Sequence, residues 1–294
     1  MAGRRAFRFA PSPNGALHLG HALSALTSFD MAAAMGGRFL VRIEDIDTVR
    51  CRPHLIEAAL ADLAWLGLDW ERPVLRQSEH FDAYAAAARR LEAMGLLYPC
   101  FASRTEIAAA SSPGAVDPDG APIYPGLWRA TAPEAVERNK ARGEPFALRL
   151  DMGRALDAAR SMSATPLTFT TFDTDGSYHV RSVQPERWGD AVIVRKDTPS
   201  SYHLAVVVDD ARQGITHVTR GLDLLAATDL HRLLQVLLGL PEPLYHHHRL
   251  IMDETGRKLA KSAGDTALAE LRARGWTPAR IRGHLGLPPA QSSG

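Results

Sequence analysis

Short apolar runs alternate with longer segments of helical period through the opening third of the chain. Residues 7–10, Phe-Arg-Phe-Ala, predict a strand that stops at Pro11 and Pro13, where each ring removes a backbone donor and restricts the residue before it. Gly15 and Gly20 allow a tight turn ahead of an alanine-rich helix over 22–34. Residues 38–44, Arg-Phe-Leu-Val-Arg-Ile-Glu, have the pattern of a buried strand, with Glu44, Asp45 and Asp47 at its carboxyl end. Pro53 opens a helix to residue 64, and a second helix over 80–94 closes at Gly95. Strand, helix, strand, helix in that order predicts an α/β fold with a parallel sheet, whose ligand crevice lies beyond the carboxyl ends of the strands.

The pattern changes after Pro99. Residues 111–126 are rich in Ser, Pro, Gly and Asp and read as a loop, followed by a helix start near Ala132. Residues 98–190 therefore read as an insertion that separates the first half of the α/β domain, 1–97, from the second, 191–262. Strand patterns resume at 191–195, 204–208 and 216–220, and a helix over 224–238 stops at Gly239 ahead of Pro241. A last core strand is expected over 245–251. Residues 263–294 hold two short helical patterns, 266–274 and 278–285, which make a short helical extension.

Composition narrows the classes. The chain has 294 residues, 46% of them hydrophobic and 23% charged, the balance of a globular protein. No run reaches about 18 apolar residues, which argues against a membrane span. Met1 to Ala6 leads straight into Phe7 without an apolar signal core, so the cytoplasm is the expected compartment. Cys51 and Cys100 cannot build a disulfide framework or a cysteine-rich zinc site. Net charge is +1, so a nucleic acid partner has to be met by a local basic surface.

Chemistry concentrates in two separated elements. The first is Arg8-Phe-Ala-Pro-Ser-Pro-Asn-Gly15 followed by Leu17-His-Leu-Gly-His21, and the second is Gly256-Arg-Lys-Leu-Ala-Lys-Ser262. His18 and His21 stand three apart at a glycine-containing helix start, which can set both imidazoles on one side of the first turn, next to backbone donors that favour an anion. Bare, His-Leu-Gly-His is a weak motif whose histidines would ordinarily face solvent, and a lysine pair in a loop is ordinarily solvated. Placed after the first strand and after the last, they become a matched pair.

Together these elements resemble the two ATP-handling signatures of a class I aminoacyl-tRNA synthetase of the glutamyl type. The resemblance extends from Arg8 to about Leu285, and implies a Rossmann-like parallel sheet with an inserted α+β subdomain. It implies that His18, Gly20 and His21 contact the phosphates of ATP, while Lys258 and Lys261 supply positive charge to the triphosphate, with Mg²⁺ held through the phosphates. Ala260 departs from the family, which commonly has Ser or Met there.

A glutamate substrate carries two carboxylates and an ammonium, so its pocket needs a guanidinium fork and a carboxylate. By the same resemblance Arg8, Phe9, Ala10, Pro11, Ser12, Glu44, Tyr202 and Arg220 line that pocket. Arg8 and Arg220 would hold carboxylates, Glu44 the ammonium, and Tyr202 would add a hydroxyl and an aromatic wall. A lone Arg or Glu at a strand edge is ordinarily a surface ion pair, and only the joint match of four segments raises it above that reading. Asp45 and Asp47 are expected either to organise Arg42 or the neighbouring loop, or to act as plain caps and ion pairs.

Only about thirty residues follow Ser262, whereas a full glutamyl-tRNA synthetase carries a helical anticodon-binding region there. The shortness makes the chain similar to the glutamyl-queuosine tRNA(Asp) synthetase family, which implies L-glutamate and queuosine-bearing tRNA(Asp) as partners and a monomer as the working form. A truncated conventional glutamyl-tRNA synthetase and a non-catalytic RNA-binding module are the alternatives. The family often holds zinc with Cys-x-Cys and Tyr-x-x-x-Cys. Here those places are Cys100, Ala102, Tyr124 and Trp128, so zinc is expected to be absent, with packing in its stead. His246, His247 and His248 alternate faces if they form a strand, and are expected to be surface or packed histidines rather than a metal site.

Overall fold

The computed structural model describes residues 4–163, 165–252 and 266–290. The first half runs β1 (Ala6–Phe9), α1 (Leu19–Ala34), β2 (Arg38–Ile43), α2 (Pro53–Trp65), β3 (Glu71–Arg76), α3 (Phe81–Ala93) and β4 (Leu97–Cys100). The middle holds α4 (Arg104–Ala110), α5 (Pro133–Ala141), β5 (Ala147–Leu150), α6 (Met152–Met162), β6 (Thr168–Phe172) and β7 (Tyr178–Ser182). The last part comprises β8 (Val192–Val194), α7 (Tyr202–Arg212), β9 (His217–Gly221), α8 (Ala227–Leu238), β10 (Leu244–His248), α9 (Leu268–Ala273) and α10 (Pro278–His284). No helix among the described residues is long and apolar enough to cross a membrane.

The main sheet has the order β3-β2-β1-β9-β10-β6-β7, parallel except for the β6–β7 hairpin. Strand order reverses beside β1, whose neighbours are β2 on one side and β9 on the other, so a crevice opens there at the carboxyl ends. Side chains alternate across the strands and bury two faces. Phe7, Phe9, Phe39, Val41 and Ile43 pack with α1 and α2 in one core, while Ala6, Leu40, Val218 and Tyr245 lie in another. Residues of α9 and α10, Leu268, Leu271, Ile281 and Leu285, join the first core.

Residues 204–208, expected as a strand, lie inside α7. A run of Leu, Ala and three valines satisfies a buried strand or a buried helix equally, and Ser201 settles it by capping: its Oγ accepts the Leu204 N–H. Strand β3 was absent from the sequence expectation because Glu71-Arg-Pro is polar and edge-like. Strand pairing also cuts across the expected insertion: β6 and β7, inside 98–190, extend the main sheet, while β4, β5 and β8 form a separate antiparallel sheet.

Candidate active site

The two ends of β1 and β2 are tied before any ligand is considered. The Glu44 N–H donates to the Pro11 carbonyl at 3.0 Å, and the Ser28 hydroxyl of α1 donates to the Arg8 carbonyl at 3.1 Å. Beyond them opens a cavity of about 910 Å³ lined by Arg8, Phe9, Ala10, Pro11, Ser12, His18, Gly20, His21, Glu44, Tyr202 and Arg220. Every site residue expected from sequence in the described part of the chain therefore shares one crevice. Lys258 and Lys261 lie outside the described residues.

His18 caps α1. Its Nδ1 accepts the Gly20 N–H at 3.0 Å, and His21 Nδ1 accepts the His18 N–H at 3.2 Å, a reciprocal box that satisfies first-turn donors. An imidazole nitrogen that accepts a backbone N–H carries no proton, so each neutral ring holds its proton on Nε2, as a donor. The ring centroids are 3.9 Å apart. Gly20 is required by closeness: a Cβ there would stand 2.9 Å from His18 Cε1.

On the opposite wall, alternation along the strands brings Arg8, Arg42, Glu44 and Arg220 to one face, and all four are buried. Asp210 of α7 takes both Arg8 and Arg42. Arg8 Nε lies 3.0 Å from Asp210 Oδ1, and Arg42 Nη2 lies 2.8 Å from the same oxygen. Arg42 also reaches Glu44 at 3.4 Å and Gln213 at 3.0 Å. Burial pushes the Asp210 carboxyl up, but Arg8 and Arg42 together outweigh it and leave it below the usual carboxylate range. Glu44 goes the other way, raised by burial that Arg42 and Arg8 do not overcome.

Arg220, only 4% exposed, has no such carboxylate among the described residues. Its Nη1 donates to His231 Nδ1 at 3.1 Å and its Nη2 to Thr228 Oγ1 at 2.6 Å, while Nε faces His247 Nε2 at 3.4 Å. Tyr202, on the first turn of α7, lines the cavity, and its phenol is raised by burial, with Arg220 pulling it down and Glu44 pushing it up.

Sequence reasoning did not identify Asp210, Thr228 or His231. Asp210 was hidden by reading its segment as a strand. Thr228 and His231 are three apart on α8, a spacing that places both on one helix face beside Arg220. His247 follows from register, since parallel pairing sets it opposite Arg220. The acids near β2 divide: Asp45 accepts from the Ser78 N–H and hydroxyl, and Asp47 pairs with Arg50, so both organise the neighbouring loops while Arg42 turns to Asp210.

In the middle of the chain, Cys100, Ala102 and Tyr124 form a small buried cluster with Trp128 against it. The Tyr124 hydroxyl accepts the Trp128 N–H at 2.8 Å and takes the Cys100 thiol at 3.4 Å, and the Arg149 guanidinium lies 4.0 Å from the ring centroid. These residues do not fit zinc. Ala102 has no donor atom and the Trp128 indole offers no lone pair in the ring plane, which leaves one thiol and one phenol, too few for a tetrahedral zinc site.

A family model described as tRNA synthetases class I (E and Q), catalytic domain, matches residues 6–287. The chain is 48% identical over 292 residues to the glutamyl-Q tRNA(Asp) synthetase of Rhodobacter capsulatus, covering 95% of this chain and 99% of that one. It is 44% identical over 287 residues to the protein of the same name from Symbiobacterium thermophilum, covering 95% and 84%. Among solved structures, a glutamate-tRNA synthetase from Elizabethkingia anophelis superposes with a TM-score of 0.68 at 27% identity. That match covers 89% of this chain and 53% of the other, so the chain spans about half of that solved relative. A methionyl-tRNA synthetase from Mycobacterium tuberculosis, at 15% identity and a TM-score of 0.57, shares the fold alone. The chain thus carries a class I synthetase catalytic domain of the ligase type, and it belongs to the glutamyl-Q tRNA(Asp) synthetase family within the class I tRNA synthetases (E and Q).

Proposed function

We propose that the protein activates L-glutamate with ATP and transfers it to the queuosine base of tRNA(Asp). The observation that carries the glutamate half is Arg220: a buried guanidinium at the crevice whose hydrogen-bond partners among the described residues are all neutral, and which a substrate carboxylate would complete. Glu44 complements it. Its carboxylate is penalised by burial, and a substrate ammonium beside it would relieve that penalty. Arg8 differs from the sequence expectation in emphasis, since its fork is largely committed to Asp210 and its Nη1 reaches the Thr219 carbonyl at 3.4 Å, while the residue still lines the cavity.

Activation needs no side-chain nucleophile. The substrate carboxylate attacks the α-phosphorus, pyrophosphate leaves, and a hydroxyl of the RNA then attacks the acyl carbon as AMP departs. The chain's part is alignment and charge stabilisation. His18 and His21, with protons on Nε2, are donors suited to phosphate oxygens, and Lys258 and Lys261 are assigned to the triphosphate by family resemblance. Mg²⁺ brought in with ATP would supply charge neutralisation at the triphosphate, beside the groups assigned to it, His18, His21, Lys258 and Lys261. The queuosine half rests on the relatives' names and on the near full-length match to the R. capsulatus protein.

ATP–pyrophosphate exchange with glutamate, without and then with tRNA, tests activation. Exchange without tRNA is expected. Nuclease digestion after charging with radiolabelled glutamate should place the label on the anticodon nucleoside. Label on the terminal adenosine would mean a conventional glutamyl-tRNA synthetase, and RNA binding without any exchange would mean a non-catalytic module.

A further inference from the structure

Three arginines are buried around the crevice, and they are treated differently. Arg8 and Arg42 share the Asp210 carboxylate, and Arg42 also reaches Glu44. Among the described residues Arg220 is held by Thr228, His231 and His247, with the Tyr245 ring 5.3 Å from its guanidinium carbon. A guanidinium can only donate, so each atom that receives it must present a lone pair. His231 therefore accepts at Nδ1 and carries its proton on Nε2, which lies 3.1 Å from His203 Nδ1. His203 accepts there in turn. His247 Nε2 faces Arg220 and also lies 3.1 Å from the Thr228 hydroxyl, which can donate to it. The hydrogen bonds thus run outward from Arg220 in two branches, through His231 to His203 and through Thr228 to His247, in which every histidine is neutral.

The surroundings keep it so. Burial first, and then the Arg220 charge, lower His203 to about 4, His247 to about 2 and His231 well below its usual value. The rings are also wedged. Tyr202 packs edge-on against His203 and His231, Trp188 against His203, and Tyr245 stacks under His247.

We propose that Thr228, His231 and His247 form a neutral cradle that aims the Arg220 guanidinium while withholding a counter-ion, so that the acidic side chain of the amino acid substrate becomes that counter-ion and its amide analogue is rejected. These are positioning residues, acting through Arg220, and the inference rests on the reading that Arg220 meets glutamate. An acid in their place would hold the fork equally well in shape but would already neutralise it. Glutamine could still accept a hydrogen bond from Arg220, yet it brings no charge to a buried cation.

Isosteric pairs separate charge from shape. Asn presents its Oδ1 where His presents Nδ1, so His231→Asn keeps a neutral acceptor and His231→Asp makes it anionic. Pyrophosphate exchange should show the glutamate KM within about threefold of the parent for His231→Asn and raised about thirtyfold or more for His231→Asp, with the ATP KM unchanged in both. The preference for glutamate over glutamine should persist in the first variant and collapse in the second. The same contrast at the second position, His247→Gln against His247→Glu, where Gln reaches like Nε2, serves if either His231 variant fails to fold, and glutamate binding by calorimetry reads both pairs without turnover. Equal glutamate KM values within each neutral and acidic pair would overturn the cradle. Absence of glutamate exchange in the parent protein would instead overturn the functional reading beneath it.

Discussion

Arg8 lays its guanidinium on the Asp210 carboxylate across 202 residues of sequence, Nε 3.0 Å from Oδ1 and Nη2 3.4 Å from Oδ2. This joins the first strand to the helix that carries Tyr202, and it positions both walls of the crevice. Because Arg42 uses the same carboxylate, Asp210→Asn leaves two buried cations with one weaker partner, Glu44. Removing one member of a buried ion pair costs about 3–5 kcal/mol. Urea denaturation at neutral pH should show a loss of that order, and a midpoint unchanged from the parent would remove Asp210 from the account. Asp210's folded pKa is lowered, so its contribution is present above the unfolded value and fades as pH falls through the folded one. The parent should therefore lose stability below about pH 4, and the variant should lack that component.

Glu44 has the opposite sign. Its folded pKa is raised, chiefly by burial, so stability declines as pH rises above its unfolded value toward the folded one, and by neutral pH that decline has been felt. Glu44→Gln should then be at least as stable as the parent at pH 7 while losing most glutamate exchange, because the amide can accept from an ammonium but brings it no charge. A variant that is destabilised but active would reverse both assignments.

Arg220→Ala is expected to raise the KM for glutamate while leaving ATP binding intact. A charge-assisted hydrogen bond contributes about 1.5–3 kcal/mol, which corresponds to about ten- to a hundredfold in affinity. Calorimetry with glutamate alone gives the reading, and an unchanged affinity would separate Arg220 from the substrate.

Much of this was legible because period and punctuation agree in the outer parts of the chain. The proline stop after Phe9, the alanine-rich α1 and the Gly239 stop of α8 appear where the residue types require them. The candidate residues Arg8, Glu44, Tyr202 and Arg220, read as a group from sequence, line one crevice, and their roles rest on the proposed function. What escaped was the connection among them. Reading 204–208 as a strand sends Asp209 and Asp210 to opposite faces of a sheet, whereas in α7 both are buried: Asp209 takes Tyr84 and Gln77, and Asp210 takes Arg8 and Arg42. His231 escaped for a different reason, since a histidine inside an apolar helical stripe looks like core until a cation is found across from it.

Gly20→Ala tests the nucleotide side. The added Cβ would stand 2.9 Å from His18 Cε1 and 3.1 Å from Nδ1, so the ring has to leave its cap on the Gly20 N–H. Loss of an N-terminal cap costs about 1 kcal/mol, a modest effect on stability. If His18 is the phosphate donor proposed above, its displacement should act more strongly on the rate of adenylate formation in single-turnover experiments, with glutamate affinity little changed. Adenylation at the parental rate would show that the position of His18 does not matter to the chemistry.

The last expectation concerns metal. Tyr124 already accepts the Trp128 N–H and the Cys100 thiol, and burial first and then that thiol raise its phenol well above the usual pKa, although the Trp128 N–H and the Arg149 guanidinium over its ring pull the other way. A zinc ion would need that phenolate, a second thiolate where Ala102 stands, and room beside a fixed cation. Purified protein should contain substoichiometric zinc and keep its fold and exchange activity in a chelator. Tyr124→Phe should instead cost about 1 kcal/mol of stability, from the hydrogen bond left unmade at the Trp128 N–H. Stoichiometric zinc by elemental analysis, with unfolding on chelation, would mean that ligands from elsewhere in the chain converge on Cys100 and that the packed cluster is a metal site after all.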